Sequence, residues 1–89
     1  MKIKEGFVLR EVAGQAVVIA VGEASKTFHG MINLNGTGKR IWEGVEQGKT
    51  KEEIANQLSE DYEVEYEKAL QDTEKMLTKM QDTGVIDNE

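Results

Sequence analysis

The spacing of hydrophobic residues changes near the middle of the chain, and the two patterns predict a strand that leads directly into a helix. Over Thr27–Leu34 the large apolar residues alternate with polar ones, so that Phe28, Ile32 and Leu34 share one face of a strand. From Asn35 onward the apolar spacing becomes helical, and this helix carries the only tryptophan, Trp42. We expect this junction to lie at the centre of the core.

Two more strands are predicted before this junction, over Phe7–Val12 and Gln15–Val21, with a turn at Ala13-Gly14 between them. The second strand is apolar on both faces, which is typical of a central strand. Its larger side chains, at residues 17, 19 and 21, are expected to face the helices. The short connections indicate an antiparallel meander with the third strand at an edge.

The next stretch is predicted to be irregular. Gly22–Ser25 is expected to form a loop, and Gly30 is a candidate β-bulge inside the third strand, because a glycine within a strand often marks such a kink.

Three helices are predicted after the sheet. The first runs from about Asn35, a good N-cap residue, to Gln47, and Gly48 ends it in a left-handed conformation. Thr50 and Glu53 have the spacing of a capping box that opens the second helix. Strands followed by helices indicate an α+β fold, with residues 1–89 forming a single domain.

The third helix is the longest, over Glu65–Thr83, with Gly84 as its stop and Val85 folding back on its last turn. Its apolar residues form two adjacent rows. The core-facing row comprises Tyr66, Leu70, Thr73, Leu77 and Met80, and the second row comprises Ala69, Thr73, Met76 and Met80.

Composition limits the functional classes. The 89 residues include no cysteine, which excludes disulfides and thiolate metal sites. The net charge of −6 disfavours nucleic acid and anionic membranes as partners, because both need clustered cations. The N-terminal residues lack the apolar segment of a signal peptide, and no apolar run is long enough to span a membrane. A soluble cytoplasmic protein is therefore expected.

The inventory of reactive side chains predicts no enzyme. His29 is the only histidine and falls on the outer face of the third strand. The carboxylates cluster near helix ends and outer faces, where solvation and the helix dipole account for them. We expect no catalytic residue, no cofactor and no bound metal.

A peptide-binding groove is the functional feature that the pattern favours. An edge strand has unpaired backbone groups to which an extended peptide can add as another strand. Met76 and Met80 can adapt to varied partners, although taken alone they are better explained as completing the core. The expected contacts on the edge strand are Thr27, Phe28, His29, Gly30, Met31, Ile32 and Asn33. Those on the third helix are Ala69, Thr73, Met76 and Met80.

Several short motifs occur together in one order along the chain. They are Gly30-Met31-Ile32-Asn33-Leu34-Asn35-Gly36-Thr37-Gly38, Ile41-Trp42-Glu43, and Gly48-Lys49-Thr50-Lys51-Glu52-Glu53-Ile54, followed by Leu58, Tyr62-Glu63-Val64, Leu77 and Gly84-Val85-Ile86. In this order and spacing the chain resembles the coenzyme PQQ synthesis protein D (PqqD) family, the recognition elements for precursors of ribosomally made, modified peptides. The resemblance is closest from Gly30 to Ile86.

The resemblance implies a winged-helix-like fold, a three-stranded antiparallel sheet followed by three helices. It also implies a non-catalytic chaperone that binds a precursor's leader segment between the third strand and the third helix. The usual partner is a tailoring enzyme, often a radical S-adenosylmethionine protein. Family members commonly carry an acidic residue where Gly36 stands and an aspartate-proline start where Glu65-Tyr66 stands. These departures leave open whether the pathway is PQQ synthesis or another peptide modification.

Two other functions compete with this one. The fold class includes nucleic-acid-binding winged helices, although the acidic balance opposes that function. A structural homodimer, in which two edge strands pair, is compatible with peptide binding because a leader could displace the second copy.

Overall fold

The computed structural model describes residues 2–26, 28 and 30–86, and it shows a three-stranded sheet followed by three helices. The strands are β1 (Phe7–Val12), β2 (Gln15–Ala20) and β3 (Met31–Leu34), with a 3-10 helix (Gly22–Lys26) before β3. The helices are α1 (Gly36–Glu46), α2 (Lys51–Tyr62) and α3 (Tyr66–Thr83). This order confirms the predicted α+β class.

The sheet is the predicted antiparallel meander, with strand order β1-β2-β3. The β1–β2 turn has positive φ at both central residues, 53° at Ala13 and 80° at Gly14. Positive φ at both positions gives a two-residue turn whose twist matches that of the flanking strands. β3 pairs with β2 in a register that places Ile32 opposite Val18 and Leu34 opposite Ala16.

The third strand is shorter than predicted, because it begins at Met31 rather than at Thr27. Met31 pairs with Ile19, and β2 ends at the next residue, so positions before Met31 have almost no strand to pair with. Gly22–Lys26, expected as a loop, forms the 3-10 helix. Gly30 lies in a bend before the strand and is not a bulge inside it. Residues 27 and 29, two of the predicted strand positions, lie outside the described residues.

The prediction for the faces of β2 is wrong. The face toward the helices carries Ala16 and Val18, both buried, whereas Val17 and Ile19 lie on the opposite face. Val21 lies beyond the end of the strand and is exposed. Ala16 and Val18 belong to the same core cluster as Trp42 of α1. Because the tryptophan side chain is bulky, small side chains on this face of β2 are enough to fill the core.

The predicted helix boundaries are confirmed to within a residue. The Asn35 side chain accepts a hydrogen bond from the Gly38 amide (2.7 Å), and Thr50 and Glu53 form the full capping box. Gly48 and Gly84 adopt positive φ, 79° and 83°, after α1 and α3. These caps satisfy amides and carbonyls that a helix end otherwise leaves free.

The core lies between the inner face of the sheet and the three helices. Val18, Ile41, Trp42 and Val85 are its largest apolar side chains with essentially no exposure. Val85 folds back as predicted, and its amide donates to the Met80 carbonyl oxygen (3.0 Å). Tyr66, predicted for the core-facing row of α3, is instead 39% exposed, because it is the first residue of the helix.

Candidate functional site

The outer edge of β3 is open in the part of the chain that the structure describes. β2 lies on one side of β3, and no described strand lies on the other. The Gln15 side-chain amide donates to the Leu34 carbonyl oxygen (2.8 Å), but Gln15 belongs to β2 and approaches from that side. Alternate residues of an antiparallel edge strand point their amide and carbonyl groups away from the sheet. This edge can therefore pair with another extended segment.

The two edges of the sheet differ in charge. β1, at the opposite edge, carries Arg10 and Glu11, and charged residues on an edge strand discourage further pairing. β3 has the sequence Met31-Ile32-Asn33-Leu34, with no charge and no proline. The β3 edge is the better acceptor of a new strand.

A cavity of about 130 Å³ lies between β3, α1 and α3. Its lining is mainly apolar and includes the indole of Trp42. The lining residues are Ile32, Asn33, Leu34, Asn35, Gly38, Trp42, Met76, Lys79, Met80 and Thr83. A cavity of this size admits an aliphatic side chain from a segment paired with β3, and its apolar wall favours such a side chain.

The structure brings together some of the predicted contact residues. Ile32 and Asn33 of β3 and Met76 and Met80 of α3 line the same cavity. Met80 is also buried in the core, whereas Met76 is half-buried, so the two methionines complete the core and form a wall of the cavity.

Other predicted contacts lie elsewhere. Ala69 and Thr73 are buried beneath the surface of α3, and the Thr73 hydroxyl donates to the Ala69 carbonyl oxygen (2.8 Å). The Phe28 ring packs edge-on against Phe7, with ring centroids 5.5 Å apart. Met31 is 59% exposed, and the register places it on the sheet face opposite the helices. These four residues do not line the cavity.

Sequence reasoning missed part of the lining. Lys79 and Thr83 follow Met76 and Met80 at helical spacing, so the period of α3 could have identified them. Gly38 lets α1 approach the end of β3, since a Cβ there would lie 3.6 Å from the Leu34 Cβ and 3.1 Å from the Asn35 Oδ1. No sequence pattern indicates that close approach.

Trp42 forms a buried part of the cavity wall. Its side chain has no exposed surface, and its indole nitrogen has no hydrogen-bond acceptor among residues 2–26, 28 and 30–86. A buried N–H without an acceptor is uncommon in folded proteins. As the only tryptophan, it also provides a fluorescence signal next to the cavity.

A second, more open cavity of about 360 Å³ continues the first along α3, toward the beginning of α1. The two cavities share Asn35, Gly38, Met76 and Lys79, so together they form one groove, which we call the β3–α3 groove. The second cavity is more polar. Its other lining residues are Thr37, Ile41, Asp72 and Lys75.

Titratable groups with clear pKa shifts lie outside the groove lining. The Lys39 ammonium donates to Glu11 (2.9 Å), which lowers the pKa of Glu11 and raises that of Lys39. The Glu74 carboxylate accepts from Lys51 (2.9 Å) and raises the pKa of that lysine. Such ion pairs tie β1 to α1 and α2 to α3. They are surface contacts, and neither suggests acid–base chemistry.

The groove is suited to binding. Within the described ranges, no three His, Asp or Glu side chains lie close enough to share a metal ion. Nor is any helix in those ranges long and apolar enough to cross a membrane. An apolar cavity, an open strand edge and the lysines that line the groove, Lys75 and Lys79, are features that can hold an extended chain.

Comparisons with known proteins agree with this architecture. The model of the coenzyme PQQ synthesis protein D (PqqD) family matches residues 7–86. The structure of TbiB1 in complex with the TbiA(beta) leader peptide is similar, with a TM-score of 0.81 and 22% identity over 100% of this chain and 98% of that one. A lasso peptide synthetase B1 complexed with its leader peptide has a TM-score of 0.77 and 19% identity, over 93% and 92% of the two chains. No curated protein matches the sequence.

Proposed function

The chain belongs to the coenzyme PQQ synthesis protein D (PqqD) family, and we propose that it is a non-catalytic adaptor for a ribosomally made precursor peptide. The leader segment of the precursor adds to the edge of β3 and lies against α3 in the β3–α3 groove. The adaptor then presents the precursor to a tailoring enzyme.

One observation carries the proposal: the open edge of β3 and the apolar cavity lie side by side. Ile32 belongs to the edge strand β3 and lines the same cavity as Met76 of α3. A strand that pairs with β3 would therefore direct alternate side chains toward the cavity. Both similar solved structures are complexes with leader peptides, which supports this use of the fold.

The proposed contact set is narrower than the sequence indicated. Ile32, Asn33, Met76 and Met80 touch the leader directly, and Met31 contributes its backbone. Ala69 and Thr73 support the α3 wall from the core. Phe28 and Gly30 precede the strand and would contact only the end of a longer leader.

The partner enzyme supplies the chemistry in this proposal. The family resemblance favours a radical S-adenosylmethionine enzyme, in PQQ synthesis or in another peptide-modification pathway. The test is modification of the precursor by its enzyme with and without the chain. Equal rates in both reactions would contradict the adaptor role.

A second copy of the chain is an alternative occupant of the same edge. Two β3 strands can pair with each other when no peptide is present, and a bound leader would displace the second copy. Light scattering with and without bound peptide measures this competition.

The binding test uses a Met76→Glu variant. Random peptides of about ten residues, enough for one strand and its flanks, are displayed and selected against the unmodified chain. A charge at Met76 must be desolvated against the apolar cavity wall, so we expect selected peptides to bind the variant at least about tenfold more weakly.

Thr78→Glu is the matched control, because it places the same charge on an exposed part of α3 outside the groove lining. Affinities are measured by the change in Trp42 fluorescence, and circular dichroism confirms that both variants fold. Equal affinities for the two variants would place the binding site elsewhere.

A further inference from the structure

The β3–α3 groove has two chemically different parts. The cavity beside Ile32 and Met80 is mainly apolar, whereas the cavity beside the start of α1 is lined by both Lys75 and Lys79. Met76 and Lys79 belong to both, so an extended chain can cross from one part to the other without leaving the groove.

Lys75 and Lys79 differ from the other four cations of the three helices in having no ion-pair partner in the described part of the chain. Neither forms an ion pair with any described residue, although the chain has 17 carboxylates against 11 lysines and arginines. The paired cations of the three helices and their carboxylates are Lys39 with Glu11, Arg40 with Asp61, Lys51 with Glu74, and Lys68 with Asp72. The unpaired cations on α3 thus coincide with the groove.

The spacing of Lys75 and Lys79 also concentrates positive charge at the groove. They are four residues apart on one helix, a spacing at which like charges repel. Among the lining residues of the two cavities only Asp72 has a carboxylate, and that carboxylate lies 3.2 Å from the Lys68 ammonium. The first turn of α1, which faces the two lysines across the second cavity, contains no acidic residue. A carboxylate brought in by a ligand would relieve this excess of positive charge.

The order of the two parts fixes where that carboxylate must lie. β3 runs from Met31 to Leu34 toward Asn35, so the apolar cavity lies along the strand and the second cavity, with Lys75, lies beyond its C-terminal end. Lys79 lies where the two cavities meet. A fourth strand that continues the antiparallel meander runs in the opposite direction. Its N-terminal part would therefore reach the lysines.

We infer that the groove selects a leader with one or more Asp or Glu residues on the N-terminal side of the apolar residue that fills the cavity. This inference rests on the proposed function and specifies its ligand: an acidic–apolar segment, bound antiparallel to β3, with its carboxylates at Lys75 and Lys79. The two lysines act as specificity-determining residues.

The peptide selection described above tests the inference when it is repeated on the Lys75→Gln/Lys79→Gln variant. Peptides that bind the unmodified chain are expected to be enriched in acidic residues N-terminal to an apolar residue, and the variant is expected to lose that enrichment. A Lys26→Gln/Lys49→Gln variant removes the same charge outside the groove lining and is expected to keep it.

Affinities of the selected peptides give a second readout. Each exposed ion pair should contribute about two- to fivefold in affinity, so the Lys75→Gln/Lys79→Gln variant should bind about four- to twenty-five-fold more weakly. The same acidic peptides with Asn and Gln in place of Asp and Glu should bind both proteins alike. Added salt should weaken acidic peptides on the unmodified chain more than on the variant.

The outcomes separate the inference from the proposed function. Bound peptides without an acidic preference, or with their acids on the C-terminal side, would overturn the inference and leave peptide binding intact. If no peptide binds the unmodified chain better than it binds the Met76→Glu variant, the proposed function fails as well.

Discussion

At the scale of single residues, the helix ends depend on contacts within one turn, whereas the groove wall depends on which elements pack against α3. The caps at Asn35 and Thr50 and the stop at Gly84 involve atoms within four residues. By contrast, Ala69 and Thr73 share a helical row with Met76 but are buried. Which part of that row remains exposed depends on where the other elements pack.

Substitution by alanine should have opposite effects on stability at two glycines of α1, Gly44 and Gly36. A Cβ at Gly44 would lie 2.6 Å from the Ile54 Cγ1, because α1 and α2 pack closely there. Gly44→Ala should therefore lower the free energy of unfolding by about 1 kcal/mol, because overpacking outweighs the gain in helix propensity.

Gly36→Ala is the control for this effect. A Cβ at Gly36 meets only the Tyr62 hydroxyl at 3.6 Å, an ordinary contact, so its expected effect is a gain of about 0.5 kcal/mol. Urea denaturation measures both values. A stabilised Gly44→Ala variant would show that α1 and α2 are farther apart.

The Glu11–Lys39 pair predicts a specific pH dependence. Because the folded chain lowers the pKa of Glu11, the pair stabilises the fold above the ordinary pKa of a carboxyl group. That contribution is lost as pH falls through the lowered pKa. In a Lys39→Gln variant the pKa of Glu11 should rise toward its ordinary value, as measured by NMR titration. Protonation of Glu11 should then contribute less to the loss of stability at low pH. An unchanged Glu11 pKa would show that the ion pair does not form in solution.

At the scale of elements, the type and order of helices and strands followed from the sequence, but strand faces and ends did not. β2 is apolar on both faces, so its pattern could not determine which face meets the helices. The alternation of residues 27–34 continues past the point where β2 ends and can no longer pair. Hydrophobic period indicates a strand, whereas its length depends on the neighbouring strand.

Two substitutions at Met31 distinguish the contribution of the β3 backbone to peptide binding from that of the side chain. Met31 is the first residue of the strand, where proline is tolerated, so Met31→Pro should retain the fold while removing an N–H and bending the edge. Selected peptides should bind this variant at least about tenfold more weakly.

Met31→Ala is the control, because it keeps the N–H and removes only the exposed side chain. Its affinity should change less than about twofold, since that side chain faces away from the groove. Circular dichroism and peptide titration are the measurements. Equal losses in the two variants would mean that the side chain, and not the strand edge, contacts the peptide.

At the scale of the whole molecule, the fold places an open sheet edge and an apolar helix face on either side of one groove. The sequence predicted both surfaces, but their distance apart depends on how α1 packs between them. Gly38 and Trp42 of α1 line the cavity and fix that spacing. The ends of the described chain are also joined, by a bridge between Ile3 and Ile86, which holds the C-terminal end of α3 in place.

Hydrogen exchange of the backbone amides tests the central claim most directly, with and without a peptide obtained from the selection. If a peptide adds to β3, the outward-facing amides of Met31–Leu34 should become protected, while those at the outer edge of β1 should exchange as before. Protection of the β1 edge, or a bound peptide that leaves Met31–Leu34 unprotected, would contradict the account.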